Sequence, residues 1–150
     1  MKILIIYSTI GGNTELAVKK AEECFLVKNC KVEIRRVDVT DPSQMSEFSA
    51  VILASPTYGQ GTVEDHFIPF LKAMQKVDVS QIPFAVIGLG DTKYYPEYLT
   101  ESAGILEEAV RKSGAKTIVP SLRIGMPPLK FINRLVPNWV DKIITQLTQQ

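Results

Sequence analysis

Sulfur and imidazole are scarce in this chain. Its 150 residues include two cysteines, Cys24 and Cys30, and one histidine, His66. The cysteine spacing fits neither a C-x-x-C redox pair nor a zinc knuckle, so reduced, structural thiols are expected and no metal site is read from them. A serine–histidine–aspartate arrangement has only His66 to draw on, and none is evident. An excess of one charge is missing too: 17 basic against 16 acidic side chains leave a formal net charge of +1. No global field then favours nucleic acid or an anionic membrane as partner. No uncharged apolar run approaches the ~20 residues that cross a bilayer. The apolar stretch after Lys2 is too short for a secretory signal and lacks a cleavage site, so a cytoplasmic protein is expected. A composition of 45% hydrophobic and 22% charged residues is that of an ordinary folded protein, and the length fits one domain over residues 1–150.

Short apolar runs alternate with amphipathic stretches, without repeats, low-complexity tracts or linkers. The runs cover residues 3–7, 32–37, 50–54, 84–89 and 117–120. Runs this short, rich in Ile and Val and bounded by turn residues, suit parallel strands buried on both faces. Helices are expected over 14–25 (Leu16, Ala17, Ala21, Cys24 and Phe25 on one face) and over 64–75 (Phe67, Ile68, Leu71 and Met74). Another is expected over 100–112, capped near Thr100 and stopped by Gly114, and a last one over 139–147 with Pro137 at its start. A short segment over 42–48 is the weakest helical pattern. Strand and helix in repeated alternation imply right-handed crossovers and an α/β doubly wound sheet. Ligands of such sheets sit beyond the carboxyl ends of the strands, so the loops after the first, third and fourth strands should carry the function.

The first of these loops reads Tyr7-Ser8-Thr9-Ile10-Gly11-Gly12-Asn13-Thr14-Glu15. The paired glycines let the backbone turn sharply, Thr9, Asn13 and Thr14 offer side-chain donors, and the helix that follows points unpaired N–H groups into the loop. This is a seat for a phosphate that contains no lysine or arginine. It lacks the lysine of a nucleotide P-loop, and Gly88-Leu89-Gly90 meets Lys93 where a dinucleotide fingerprint needs its third glycine. Tyr7-Ser8 also stands where a response regulator would begin its acidic cluster. The second loop, Ala54-Ser55-Pro56-Thr57-Tyr58-Gly59-Gln60-Gly61-Thr62, leaves Tyr58 either to cover the sheet edge or to lie flat on a planar ligand. The third, Leu89-Gly90-Asp91-Thr92-Lys93-Tyr94-Tyr95-Pro96-Glu97-Tyr98, adds further aromatic rings. A phosphate seat facing two aromatic loops describes a site for a flat ring on a phosphorylated chain.

These residues resemble the flavodoxin family and, in the second and third loops, the FMN-binding domains of diflavin reductases. Thr9 to Thr14 resembles the phosphate loop [ST]-x-[TS]-G-x-T, "PTYGQG" resembles T-[YW]-G-x-G, and "LGDTKYYPEY" resembles G-[DN]-x-x-Y. The likeness covers nearly the whole chain. It implies a flavodoxin-like five-stranded parallel sheet of strand order 2-1-3-4-5 with helices on both faces. It further implies noncovalent FMN and low-potential, one-electron transfer through quinone, semiquinone and hydroquinone states. Carried over by position, Thr9, Ile10, Gly11, Gly12, Asn13 and Thr14 hold the 5′-phosphate. Pro56, Thr57 and Tyr58 line the ring, with Tyr58 stacked on one face and Tyr94 on the other. Leu89, Gly90 and Asp91 lie near the pyrimidine edge, with Tyr98 close by. Gly59 is the candidate peptide flip, whose carbonyl accepts from flavin N5–H after reduction. The flavin is then the redox centre, no side chain is catalytic, and no metal is needed. The partners implied are redox proteins, a reductase donor and a protein acceptor in transient docking, with the carrier a monomer.

The sequence departs from the family at three points. Gly11 replaces a hydroxyl-bearing position. Tyr58 stands where many members have tryptophan. The near-neutral charge, with Lys93, His66 and Lys72 near the loops, departs from the strongly acidic habit of the family and weakens broad electrostatic steering. The chain lacks room for the insertion of long-chain members, which groups it with the short-chain ones. An FMN-dependent NAD(P)H:quinone oxidoreductase is the second reading, set behind because no segment is evident to build a nicotinamide or quinone pocket.

Overall fold

The computed structural model describes residues 1–9, 11–58, 62–90, 101–125 and 128–149, with Tyr58, Pro128 and Leu129 described by their backbone alone. The first strand, β1 (Lys2–Tyr7), feeds α1 (Asn13–Val27), and β2 (Lys31–Arg36) runs into two short 3-10 turns, Val37–Val39 and Pro42–Glu47. Next come β3 (Ala50–Tyr58), the short β4 (Thr62–Val63) and α2 (Phe67–Met74). The chain ends with β5 (Pro83–Leu89), α3 (Glu101–Lys112), β6 (Lys116–Thr117), β7 (Leu122–Ile124) and α4 (Pro128–Thr148). The sheet path is β2-β1-β3-β5-β6, with β7 also parallel to β5. This is the expected doubly wound order, its fifth position shared by β6 and β7.

Alternation in the strands sorts side chains to two helical layers. Ile3, Ile5 and Tyr7 of β1 face a core completed by Ala17, Val18, Ala21 and Phe25 of α1 and by Ile132, Val136, Val140 and Ile143 of α4. Leu4 and Ile6 face the other core, with Phe67, Phe70 and Met74 of α2 and Leu106 and Val110 of α3. Both faces of β1 are therefore dry, which is why its sequence is a continuous apolar run.

Several expected boundaries are corrected. β3 continues through Ser55–Tyr58, which the sequence placed in a loop. Ala54 C=O accepts from Ser8 N–H on the β1 side at 3.1 Å. Pro56, two residues on, faces that same side beyond the end of β1, so its missing N–H breaks no bond to β1. The helix expected over 64–75 begins at Phe67, because residues 64–66 form the turn that leads out of the β3–β4 hairpin. Ile68 and Leu16, expected in the core, are 40% and 43% exposed, and Phe70 and Val18 are buried in their helices instead. The fifth strand, expected over 117–120, is broken: Trp139 Nε1 donates to Pro120 C=O at 3.0 Å, satisfying a carbonyl inside the gap. Pro137 lies inside α4 and does not start it. An interior proline costs roughly 3 kcal/mol, which the burial of Ile132, Val136, Trp139, Val140 and Ile143 on the same helix outweighs. Thr100, the expected cap of α3, lies outside the described residues. No helix among the described residues is long and apolar enough to cross a membrane.

Candidate functional site

Loop one, residues 8–12, leaves the carboxyl end of β1 and enters α1. Gly11 and Gly12 both have left-handed backbone, with φ of 77° and 86°, and nothing lies within 4 Å of where a Cβ would stand on either. Two successive left-handed residues are strained for anything but glycine. This accounts for Gly11 at a position where the family pattern has a hydroxyl: the turn here excludes a side chain. Gly12 caps α1 with no side-chain acceptor, so the first N–H groups of the helix have no partner within the helix and open onto the loop. Gly12 N–H donates to Thr9 Oγ1 at 3.0 Å, which holds the Thr9 hydroxyl against the turn with its own proton still available to donate.

Two polar atoms set this loop apart. Ser8 Oγ and Thr14 Oγ1 are buried and have no hydrogen-bond partner among the described residues, Ser8 at 2% and Thr14 at 0% exposure. Leaving a buried hydroxyl unsatisfied costs roughly 1–3 kcal/mol. Both flank a loop of glycines and first-turn N–H groups, an arrangement that a phosphate completes. Thr14 was expected from the sequence. Ser8 was not assigned, although its place one residue past the strand is the signal that could have found it. The donors present are hydroxyls and backbone amides with no cation among the described side chains of the loop, and this set fits the phosphate of FMN. Asn13 starts α1 and is half-buried; Ile10 lies outside the described residues.

Loop two is the β3–β4 hairpin, in which Thr57 pairs with Val63 and Tyr58 with Thr62. Its stem is hydrogen-bonded throughout. Ser102 N–H, in the first turn of α3, donates to Thr57 Oγ1 at 3.2 Å; Thr57 Oγ1 donates to Ser102 Oγ at 3.1 Å, and Ser102 Oγ to Ser55 C=O at 3.0 Å. Glu64 N–H donates to Ser55 Oγ at 3.1 Å. The Thr57 hydroxyl is thus committed to α3. Pro56 is half-buried opposite Leu89 in the β3–β5 register.

At the end of β5, Leu89 is fully buried and Gly90 N–H donates to Ile124 C=O at 3.0 Å, tying this edge to β7. Gly88 has a packing role: a Cβ there would stand 2.6 Å from Ala103 Cβ and 2.7 Å from Ala103 N, so the glycine lets α3 lie against β5. The first glycine of the dinucleotide-like Gly88-Leu89-Gly90 is thereby explained by packing. Gly59, Asp91, Tyr94, Tyr98 and the side chain of Tyr58 lie outside the described residues. The structure thus brings together the phosphate end of the expected site and the stems that carry its ring end. Among the described residues no group of three or more His, Cys, Asp or Glu is placed to hold a metal ion.

Comparison with known proteins places this geometry. The family model described as Flavodoxin matches residues 5–131. The chain is 30% identical over 128 residues to a probable flavodoxin 2 of Bacillus subtilis, covering 85% of this chain and 83% of that protein. It is 32% identical over 130 residues to a flavodoxin of Maridesulfovibrio salexigens, covering 85% and 88%. Among solved structures, oxidised flavodoxin 2 of Bacillus cereus superposes with a TM-score of 0.89 at 25% identity, over 97% of this chain and 99% of that one. A Fusobacterium nucleatum flavodoxin bound to flavin mononucleotide shares the fold with a TM-score of 0.84 at 20% identity, over 97% and 98%. With a left-handed glycine turn and buried hydroxyls at the first loop, a hairpin after the third strand and this match across most of its length, the chain belongs to the flavodoxin family, whose members are FMN-dependent electron carriers working with redox partners rather than enzymes.

Proposed function

We propose that this chain is a single FMN-binding domain, a cytoplasmic monomer that passes single electrons at low potential between a reductase donor and a protein acceptor. The observation that carries the reading is the pair of buried hydroxyls, Ser8 Oγ and Thr14 Oγ1, unpartnered among the described residues and beside the first turn of α1. In this reading Thr9, Ile10, Gly11, Gly12, Asn13 and Thr14, joined by Ser8, hold the 5′-phosphate. The backbone of Pro56 and Thr57 and the ends of β5 at Leu89 and Gly90 bound the ring, with Asp91 at its pyrimidine edge. Tyr58 and Tyr94 cover its two faces, Tyr98 flanks it, and Gly59 is the peptide that adjusts to reduction. When bound, FMN supplies the redox chemistry, one electron at a time.

The residues of the chain do three things toward that chemistry. Loop one offers dipoles and hydroxyls in place of a cation, so the phosphate is held while its negative charge stays uncompensated by a side chain. That charge opposes the arrival of further negative charge and pulls the potential down. The Ser55, Thr57 and Ser102 network fixes the hairpin stem that carries the ring end of the site.

Purified protein is expected to be yellow and to release FMN on denaturation. A colourless protein that rejects added FMN overturns the reading. Photoreduction is expected to give a strong radical signal by electron paramagnetic resonance near half reduction; direct two-electron reduction with rapid NADPH consumption counts against a one-electron carrier.

A further inference from the structure

A buried carboxylate stands at the root of the loop-two hairpin. Glu64 directly follows β4 and is 5% exposed. Its carboxylate accepts from the His66 backbone N–H at 2.9 Å and from His66 Nδ1 at 2.5 Å. A ring nitrogen so close to a carboxylate carries its proton, which leaves Nε2 as the titrating atom. The buried charge of Glu64 is answered by these donors and by the N-terminal end of α2 just beyond His66. His66 is the wet half of the pair, with 57% of its side chain exposed, so its proton exchanges with solvent.

The pair sits within a wider cluster. The groups that act on His66 from other elements are Asp38, which favours its charged form, and Arg36, which opposes it, themselves paired at 3.3 Å. Arg36 ends β2 and interacts with Tyr7 at the end of β1. Glu64 is tied to Ser55 of β3. The cluster therefore lies along the carboxyl edge that also carries loop one and the hairpin.

We propose that His66, braced by Glu64, is a redox-linked proton site that binds its proton more tightly once the neighbouring cofactor is reduced. The inference rests on the FMN reading above. The electron comes from the donor protein and the proton from water onto Nε2; no bond to the cofactor forms or breaks. A negative charge added along that edge, across partly solvated surroundings, raises proton affinity, and a threefold rise corresponds to about 28 mV at 59 mV per tenfold. The hydrogen bond to Glu64, followed by its charge, holds the imidazole above its ordinary value of 6.5.

The test takes FMN-loaded protein and its His66→Gln variant, an exposed substitution. First, FMN binding is confirmed by fluorescence quenching; failure to bind overturns the cofactor reading and this proposal with it. Next, midpoint potentials are measured from pH 5 to 9, and the His66 Cε1–H resonance is titrated in the fully oxidised and fully reduced protein. The expected result is a His66 pKa higher in the reduced protein by about threefold in affinity, and a wild-type potential that falls with pH more steeply than that of His66→Gln. Coincident pH curves, or one pKa in both states, overturn the proposal while leaving FMN binding intact. Glu64→Gln is expected to lower the His66 pKa in both states; an unmoved resonance removes Glu64 as the brace.

Discussion

Loop one and the loop-two hairpin leave the same edge of the sheet but are held by opposite means. In loop one the backbone does the shaping, through two left-handed glycines, and two buried hydroxyls find no partner among the described residues. In the hairpin stem the side chains do it: Ser55, Thr57, Ser102 and Glu64 form a closed set of hydrogen bonds. Buried polar groups in a folded chain are paired unless something else is meant to pair them. Unsatisfied hydroxyls therefore mark where a ligand belongs, and satisfied ones mark where the scaffold is braced. The same residue types, serine and threonine, take opposite roles according to whether a neighbouring element reaches them.

Four substitutions break or sharpen this contrast. The largest effect is expected from Gly88→Val, on the scaffold beneath both loops. Its Cβ would overlap Ala103 backbone and side chain, and pushing α3 from β5 costs about 3 kcal/mol, visible as a lower midpoint in urea unfolding. Thr14→Val comes next and separates ligand from scaffold. Losing a hydrogen bond to a charged phosphate should weaken FMN binding by about 2 kcal/mol, while the apo protein, relieved of an orphaned buried hydroxyl, holds or gains stability. A parallel loss of apo stability would mean that the hydroxyl serves the fold. Gly12→Ala is expected to destabilise by about 1–2 kcal/mol, since alanine is strained at a left-handed position, and thermal unfolding of the apo protein measures it. Ser102→Ala should cost about 1 kcal/mol in stability with FMN affinity nearly unchanged, the reverse of Thr14→Val.

The smallest effect is one of pH. Since the folded state raises the His66 pKa through Glu64, its contribution to stability is fully present below pH 6.5 and is lost as pH rises through the raised value. Wild-type apo protein should therefore lose a small increment of stability as pH rises through the raised His66 value, which His66→Gln lacks, as denaturant titrations at several pH values will show.

Much of the site was legible because it is local. The phosphate seat is one unbroken stretch after a strand, so glycines, hydroxyls and a helix start identify it together, and Gly114 likewise stops α3 in left-handed backbone as its position suggested. The parallel sheet with a helical layer on each side followed from apolar runs such as Ile3–Ile6, buried on both sides, whereas the strand order came from the resemblance of the loops to the family. Proline positions needed the tertiary structure. Pro137 was read as the start of a helix but lies inside α4, where burial of the helix outweighs the lost N–H, and Pro56 lies inside β3 on the side beyond the end of β1, where its missing N–H breaks no bond.

By itself the sequence determined the doubly wound sheet and the glycine- and hydroxyl-rich, cation-free first loop, since these depend on periodicity and on contiguous residues. Tertiary structure alone decided that Gly88 serves helix packing and that the Thr57 hydroxyl belongs to α3. It also decided that Glu64 is buried against His66 while Ser8 and Thr14 wait unpaired. A side chain's role in these cases depends on which element approaches it, and that approach is fixed only when the chain has folded.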